Sequence, residues 1–184
     1  MIQLPAQIVY TASLFVSSYE HKKLLMSVNI RKENNKITIT STDGHRAFRC
    51  SFDVNETYNM EEGSMNLKIS AFKKRIPKAK VVELSDNKAT FKDEKDNVIV
   101  INPYETMIGV YPNVDNVWPS EYHNNSEEPI TFNPELIVPY FTELKRYGNN
   151  VKMETNKNHN PLQFSGTIED FETQFLLMPV QVRN

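Results

Sequence analysis

A chain of 184 residues, 39% hydrophobic and 24% charged, has the make-up of a soluble globular protein with room for one or two compact domains. A formal net charge of −2 excludes a polycation drawn to nucleic acid by bulk charge, and no apolar run approaches the roughly 20 residues of a membrane span. The N-terminus lacks a charged head followed by an apolar stretch, and the single Cys50 excludes an intramolecular disulfide, so the cytoplasm is the expected compartment.

Ile2 to Leu4 is a very short opening strand. From Leu4 to Ser18, Ile8, Val9, Ala12, Phe15 and Val16 recur at spacings of three and four. That spacing predicts an amphipathic helix with Pro5 in its first turn. Leu24 to Asn29, Lys36 to Thr42 and Arg46 to Phe52 read as strands. Ile37 and Ile39 alternate with Thr38 and Thr40, Asn34-Asn35 makes one turn, and Asp43-Gly44 makes the next. A second cycle opens with Met65, Leu67 and Ile69 on a strand. Ser70 then caps a short helix that ends before Pro77, and the strands Lys80–Leu84, Lys88–Lys92 and Val98–Asn102 follow. The third cycle has a strand at Ile130–Phe132 and a helix capped by Asn133 that runs to about Tyr147 before Gly148. Pro139 should break that helix unless it falls in the first turn, where a missing donor does no harm. Val151–Thr155, Leu162–Ile168 and Thr173–Met178 complete it. The pattern is three strand–helix–three-strand units of about 60 residues each. An α+β fold with helices packed on antiparallel sheet is expected.

Catalytic and cofactor motifs are missing. None of the five glycines forms a phosphate-cradling pattern, and His21, His45, His123 and His159 are scattered rather than spaced as metal ligands. Cys50 is either a thiol nucleophile or, more commonly for such a position, a buried strand cysteine. Asp93, Glu94 and Asp96 fit a solvated hairpin tip better than a cation site. Neither an enzyme nor a cofactor is therefore expected. Lys73, Lys74, Arg75, Lys78 and Lys80 crowd into eight positions with no acid among them. Such a run is compatible with phosphate contact, although taken alone it is more often a solvated surface.

Three segments carry a resemblance. Thr42-Asp43-Gly44-His45-Arg46, followed by Ala47, is similar to a T-D-G-H-R-L signature. Tyr111-Pro112-Asn113-Val114-Asp115-Asn116-Val117-Trp118-Pro119 is similar to F-P-D-Y-x-x-V-L-P. Phe175-Leu176-Leu177-Met178-Pro179-Val180 is similar to a terminal Y-V-x-M-P-M-R-L. In this order they resemble the bacterial DNA polymerase III β subunit, the sliding clamp. The resemblance implies the DNA-clamp fold of repeated β-α-β-β-β units, with residues 1–122 as a complete clamp domain like the family's second. Residues 123–184 would be half a domain, like the latter half of its third.

In that family the three segments converge on a hydrophobic cleft where short linear motifs of polymerase, clamp loader and repair proteins dock. Carried over by position, the cleft comprises Leu25, Thr42, Gly44, His45, Ala47, Pro112, Val117, Leu176, Met178, Pro179 and Val180. Apolar walls would bury the ligand's anchors while Thr42, His45 and backbone groups orient it. Gln181 stands in place of the family's arginine, Ala47 in place of its leucine and Val180 in place of its methionine, which implies a wider pocket or a different motif. The implied function is a non-enzymatic processivity factor that encircles duplex DNA, with basic side chains making sequence-independent phosphate contacts. Lys73, Lys74, Arg75 and Lys78, then Lys145 and Arg146, are the candidates, while the first helix supplies no Lys or Arg. The implied assembly is a homo-oligomeric ring, and counting units against the family's ring makes a tetramer one way to close it. The alternative is a clamp-derived module that captures such peptides without forming a ring.

Overall fold

The structure, a computed structural model, describes residues 1–72, 74–119, 131–148, 150–155 and 161–178. Asparagine and aspartate turns set its sheets. A two-residue hairpin that follows the strand twist needs positive φ at both central positions. Asn34 and Asn35 supply φ of 50° and 63° between β2 (Ser27–Glu33) and β3 (Lys36–Thr42). Asp86 and Asn87 supply 48° and 60° between β6 (Val81–Ser85) and β7 (Lys88–Lys92).

The first unit consists of β1 (Ile2–Pro5), α1 (Ala6–Ser13), β2, β3 and β4 (Arg46–Asp53). The second consists of β5 (Gly63–Lys68), one 3-10 turn at Ile69–Phe72, then β6, β7 and β8 (Val98–Pro103). The third has α2 (Val138–Arg146), β9 (Lys152–Glu154), β10 (Leu162–Ile168) and β11 (Phe171–Leu177). The first two units exchange their opening strands. A four-stranded sheet runs β1-β6-β7-β8, and a seven-stranded sheet runs β5-β2-β3-β4-β11-β10-β9. The third unit joins through β11, which pairs antiparallel with β4 from Thr173↔Cys50 to Leu177↔Arg46. All pairings between the strands are antiparallel, and the fold is α+β as expected.

Several elements depart from the pattern. The predicted helix over 4–18 is α-helical only from Ala6 to Ser13, and it is buried on most sides rather than amphipathic. Its polar side chains find internal partners: Gln7 Nε2 donates to the carbonyls of Ile76 (3.2 Å) and Ala79 (3.0 Å), and Thr11 Oγ1 to that of Gln7 (2.8 Å). The sequence predicts the second unit's helix from Ser70 to before Pro77, a stretch that includes the first of these carbonyls. Among the described residues of that stretch only the turn at Ile69–Phe72 is helical, and Lys78 adopts a positive φ of 67° beyond it. The carbonyls of Ile76 and Ala79 are turned to α1 through Gln7 instead of along a helix. Glu20–Met26 is 3-10, so β2 begins at Ser27 rather than Leu24. Residues 131–132 are not a strand, and Ile130 lies outside the described residues. Pro139 splits the third helix as its chemistry requires. A 3-10 turn covers Pro134–Leu136, capped by Asn133 Oδ1 accepting from the Glu135 amide at 3.0 Å, and α2 restarts with Pro139 in its first turn.

An aromatic cluster lies beneath the β4–β11 joint. Phe15 stacks on Phe48 at 5.6 Å between ring centroids, and Tyr140 of α2 stacks on Phe175 at 5.1 Å. Phe15 and Phe175 close the set at 5.2 Å. The Tyr140 hydroxyl is satisfied by Thr173, whose carbonyl and Oγ1 both lie 3.1 Å away. This cluster welds the third unit to the first.

Candidate functional site

The turn after β3 is built by its own side chains. Asp43 Oδ1 accepts the amides of His45 (2.9 Å) and Arg46 (3.1 Å), an Asx turn, while Thr42 Oγ1 donates to the Arg46 carbonyl (2.7 Å) and accepts the Gly44 amide (3.0 Å). Gly44 sits at φ +96°, a conformation open mainly to glycine. The Arg46 guanidinium then anchors the loop. It pairs with Asp43 Oδ2 at 2.9 Å and donates to the carbonyls of Leu136 (2.8 Å) and Leu14 (3.2 Å). It also lies 5.1 Å from the Phe15 ring.

Residues 104–119 cross the outside of the seven-stranded sheet and form the facing wall. Asn66 holds this segment through its Nδ2, which donates to the carbonyls of Met107 (3.2 Å) and Gly109 (2.8 Å). Gly109 has φ +144° and lies so near Leu24 that a Cβ there would sit 2.9 Å from its methyls. The Tyr111 hydroxyl accepts the Thr42 amide at 3.1 Å and donates to the Ser27 carbonyl at 3.4 Å. Burial pushes that phenol well above its ordinary pKa, so it remains a neutral donor. Asp115 bridges Arg31 (3.0 Å) and Arg49 (3.3 Å), and the Arg49 guanidinium stacks 4.2 Å from the Trp118 ring. The 114–117 turn is thus fastened to β2 and β4.

The end of β11 closes the third side: Leu176 lies opposite Ala47, and the Met178 amide donates to the His45 carbonyl at 2.9 Å. Between these walls is a cavity of about 220 Å³ lined by Leu25, Thr42, Gly44, Arg46, Ala47, Pro112, Asn113, Val114, Val117, Leu176 and Met178. Eight of the cleft residues read from the sequence meet here. Pro179 and Val180 lie outside the described residues. His45 does not line the cavity; its backbone instead holds the strand end in place. Arg46, Asn113 and Val114 are lining residues that the sequence did not single out, although all three stand inside the quoted segments. A cavity this small suits one or two apolar side chains rather than a drug-sized ligand. The Lys22 ammonium sits at its rim, 3.4 Å from where a Gly44 Cβ would be. A second, more polar hollow of about 410 Å³ adjoins it across Pro112, Asn113 and Val114.

Two of the basic candidates, Arg75 and Arg146, meet at α2. The Glu143 carboxylate, only 3% exposed, has Arg146 at 3.1 Å and Arg75 at 3.9 Å, so one buried acid draws both clusters together. Arg75 is half-buried and also donates to the Tyr147 hydroxyl at 3.3 Å. Lys74, Lys78 and Lys145 are exposed, and Lys73 lies outside the described residues. These lysines and Arg75 stand on irregular chain and on α2, not on a helix of the second unit. Tyr10 is the one residue of α1 that remains part-exposed, and its phenol is pushed up by burial and by the nearby Glu143 charge.

Cys50 is 1% exposed, and burial raises its thiol far above the ordinary range, opposite to what a nucleophile requires. The native protein should therefore resist an aromatic disulfide reagent and react in stoichiometric amount only after denaturation, as followed by thiolate absorbance. Rapid labelling of the folded chain would contradict this burial. Among the described residues no group of three or more His, Cys, Asp or Glu side chains could hold a metal ion, and no helix is long and apolar enough to cross a membrane.

No protein-family model matches the chain, and no curated protein matches it. Solved structures do. The DNA polymerase III β chain of Streptococcus pneumoniae superposes with a TM-score of 0.65 at 14% identity, over 98% of this chain and 64% of that one. The H. pylori β clamp in complex with diflunisal gives 0.69 at 11% identity, over 98% and 66%. The Borrelia burgdorferi β subunit in complex with a natural product gives 0.65 at 16% identity, over 99% and 64%. The chain thus spans about two thirds of the length of these structures, and its fold is that of the bacterial polymerase III β subunit.

Proposed function

We propose that this chain acts as a short sliding clamp, a cytoplasmic processivity factor without catalytic activity. A homo-oligomeric ring of it, of about four chains, would surround duplex DNA. On this reading residues 1–122 form a whole clamp domain and 123–184 half of another, with the β4–β11 pairing as the seam between them. The observation that carries the proposal is the convergence of Thr42–Ala47, Pro112–Val117 and Leu176–Met178 around one apolar cavity. Its walls would bury the anchor side chains of an extended peptide from a polymerase or clamp loader, and Lys22 at the rim would favour an acidic neighbour. Lys74, Lys78, Lys145 and Arg146 would face the phosphates.

A second reading, a peptide-capturing module that forms no ring, is favoured by one observation. Glu143 offsets part of the charge of Arg75 and Arg146, and α1 contributes no cation to that face. Plasmid retention separates the two. A ring assembled on a nicked circle should resist a salt wash and escape after linearisation, because topology and not ion pairing holds it. Equal loss from circular and linear DNA at the same salt would remove the ring and leave the peptide module.

A further inference from the structure

Sheet edges in this chain are treated unequally. β1 is bridged on its outer side by Asn59 opposite Gln3, and β5 by Thr106 opposite Leu67. β8 is the outer strand of its sheet, and no described strand covers its far side. Its run Val98-Ile99-Val100-Ile101 carries no charge, and Val98, Ile99 and Ile101 are 55%, 41% and 54% exposed. A bulge opposite Lys92 bends only its first residues away. An uncharged, β-branched edge of this kind is normally blunted by lysines, prolines or a covering segment.

The way the units join identifies what would cover it. β4 is the last strand of the first unit and β11 the last of the third. They meet antiparallel, edge to edge, with Phe15 and Tyr140 packed on the same side beneath them. β8 is the last strand of the second unit. Both other final strands are already consumed inside the chain. The remaining final strand of equal length and character is β8 of another copy. We propose that β8 of one chain pairs antiparallel with β8 of a second copy about a two-fold axis, making one continuous sheet from two four-stranded ones. An axis perpendicular to the sheet keeps the helix-bearing faces on one side, as at the β4–β11 seam. Val100, opposite the buried Phe91, would then meet its counterpart on the core side, while Ile99 and Ile101 pack across the outer face. This contact deepens the ring proposal by supplying a joint between its chains, and it does not depend on the apolar cavity.

The test uses the full chain. Ile99→Lys with Ile101→Lys places like charges opposite each other in the joint but at exposed positions, so the fold should survive, as read by far-UV circular dichroism. Light scattering over a dilution series should show the mass of this variant fall to half that of the parent protein. Amide hydrogen exchange along β8 should accelerate at least tenfold. A parent protein that is monomeric throughout the series, or a variant that retains the parent mass, would overturn the proposal. Ile101→Cys supplies the geometry: a short bis-maleimide should link two copies through this one substituted residue, since buried Cys50 is shielded. If β8 instead meets β9 of a neighbour, the variant stays uncrosslinked at unchanged mass, and the two-fold joint is wrong. Plasmid retention can fail while crosslinking succeeds, so the ring and the joint are judged separately.

Discussion

Arg46→Ala should destabilise the protein by about 3 kcal/mol, the scale for breaking a largely buried ion pair by removing one partner. Its side chain is only 13% exposed, and four groups lose a partner together: Asp43 Oδ2, the carbonyls of Leu14 and Leu136, and the face of the Phe15 ring. Three of these lie in the first unit's loop and helix end, and Leu136 lies in the third unit. The loss therefore strikes the seam that also makes the cavity. Urea unfolding followed by tyrosine and tryptophan fluorescence should show a lower midpoint with a melting temperature depressed by roughly 6–12 °C. Arg46→Lys should recover little, because an ammonium cannot present the planar fork that reaches carboxylate and two carbonyls at once. A change in midpoint equivalent to less than about 1 kcal/mol would mean that the aromatic cluster holds the units together without it.

Val117→Glu should abolish capture of an apolar peptide while leaving stability nearly untouched. Val117 is 45% exposed at the mouth of the cavity, so the native fold gains little from it. A bound anchor, however, would dehydrate a carboxylate introduced there. The expected loss is at least tenfold in Kd, about 1.4 kcal/mol. Fluorescence polarisation with a labelled decapeptide carrying two adjacent large apolar side chains reads it directly. Unchanged binding by a variant of unchanged melting temperature would place the peptide site elsewhere. The adjoining polar hollow beside Arg31 would be the next place to test.

The meander was legible because its signals are local. The alternation of Ile37 and Ile39 with Thr38 and Thr40, and the Asn34-Asn35 turn before it, depend only on neighbouring residues. The failed second helix depends on distant ones. Gln7, more than sixty positions away, takes the carbonyls of Ile76 and Ala79 for its amide, and no pattern within residues 70–80 announces that. The same contact explains why α1 lacks a solvent face. At the cavity, the three short segments supplied seven of the predicted lining residues, because motif letters mark where side chains gather, and Leu25 came from the wider resemblance. It did not separate lining from support: His45 contributes backbone and Arg46 both lines and anchors. The Asp115 bridge between Arg31 and Arg49 joins three elements whose order in the chain gives no hint of contact.

The exchange of opening strands between the first two units governs how the chain reaches this state. β1 has no sheet partner until β6 exists, and β2 has none on its outer side until β5 arrives. β1 therefore stays without a sheet until synthesis has passed β6, and the nascent chain should remain sensitive to protease there until β6 emerges. Pairings this remote in sequence also slow the search, so refolding belongs on the millisecond-to-second scale of β-rich domains rather than the faster one of helical bundles. β11, which docks on a finished β4, is free to close last.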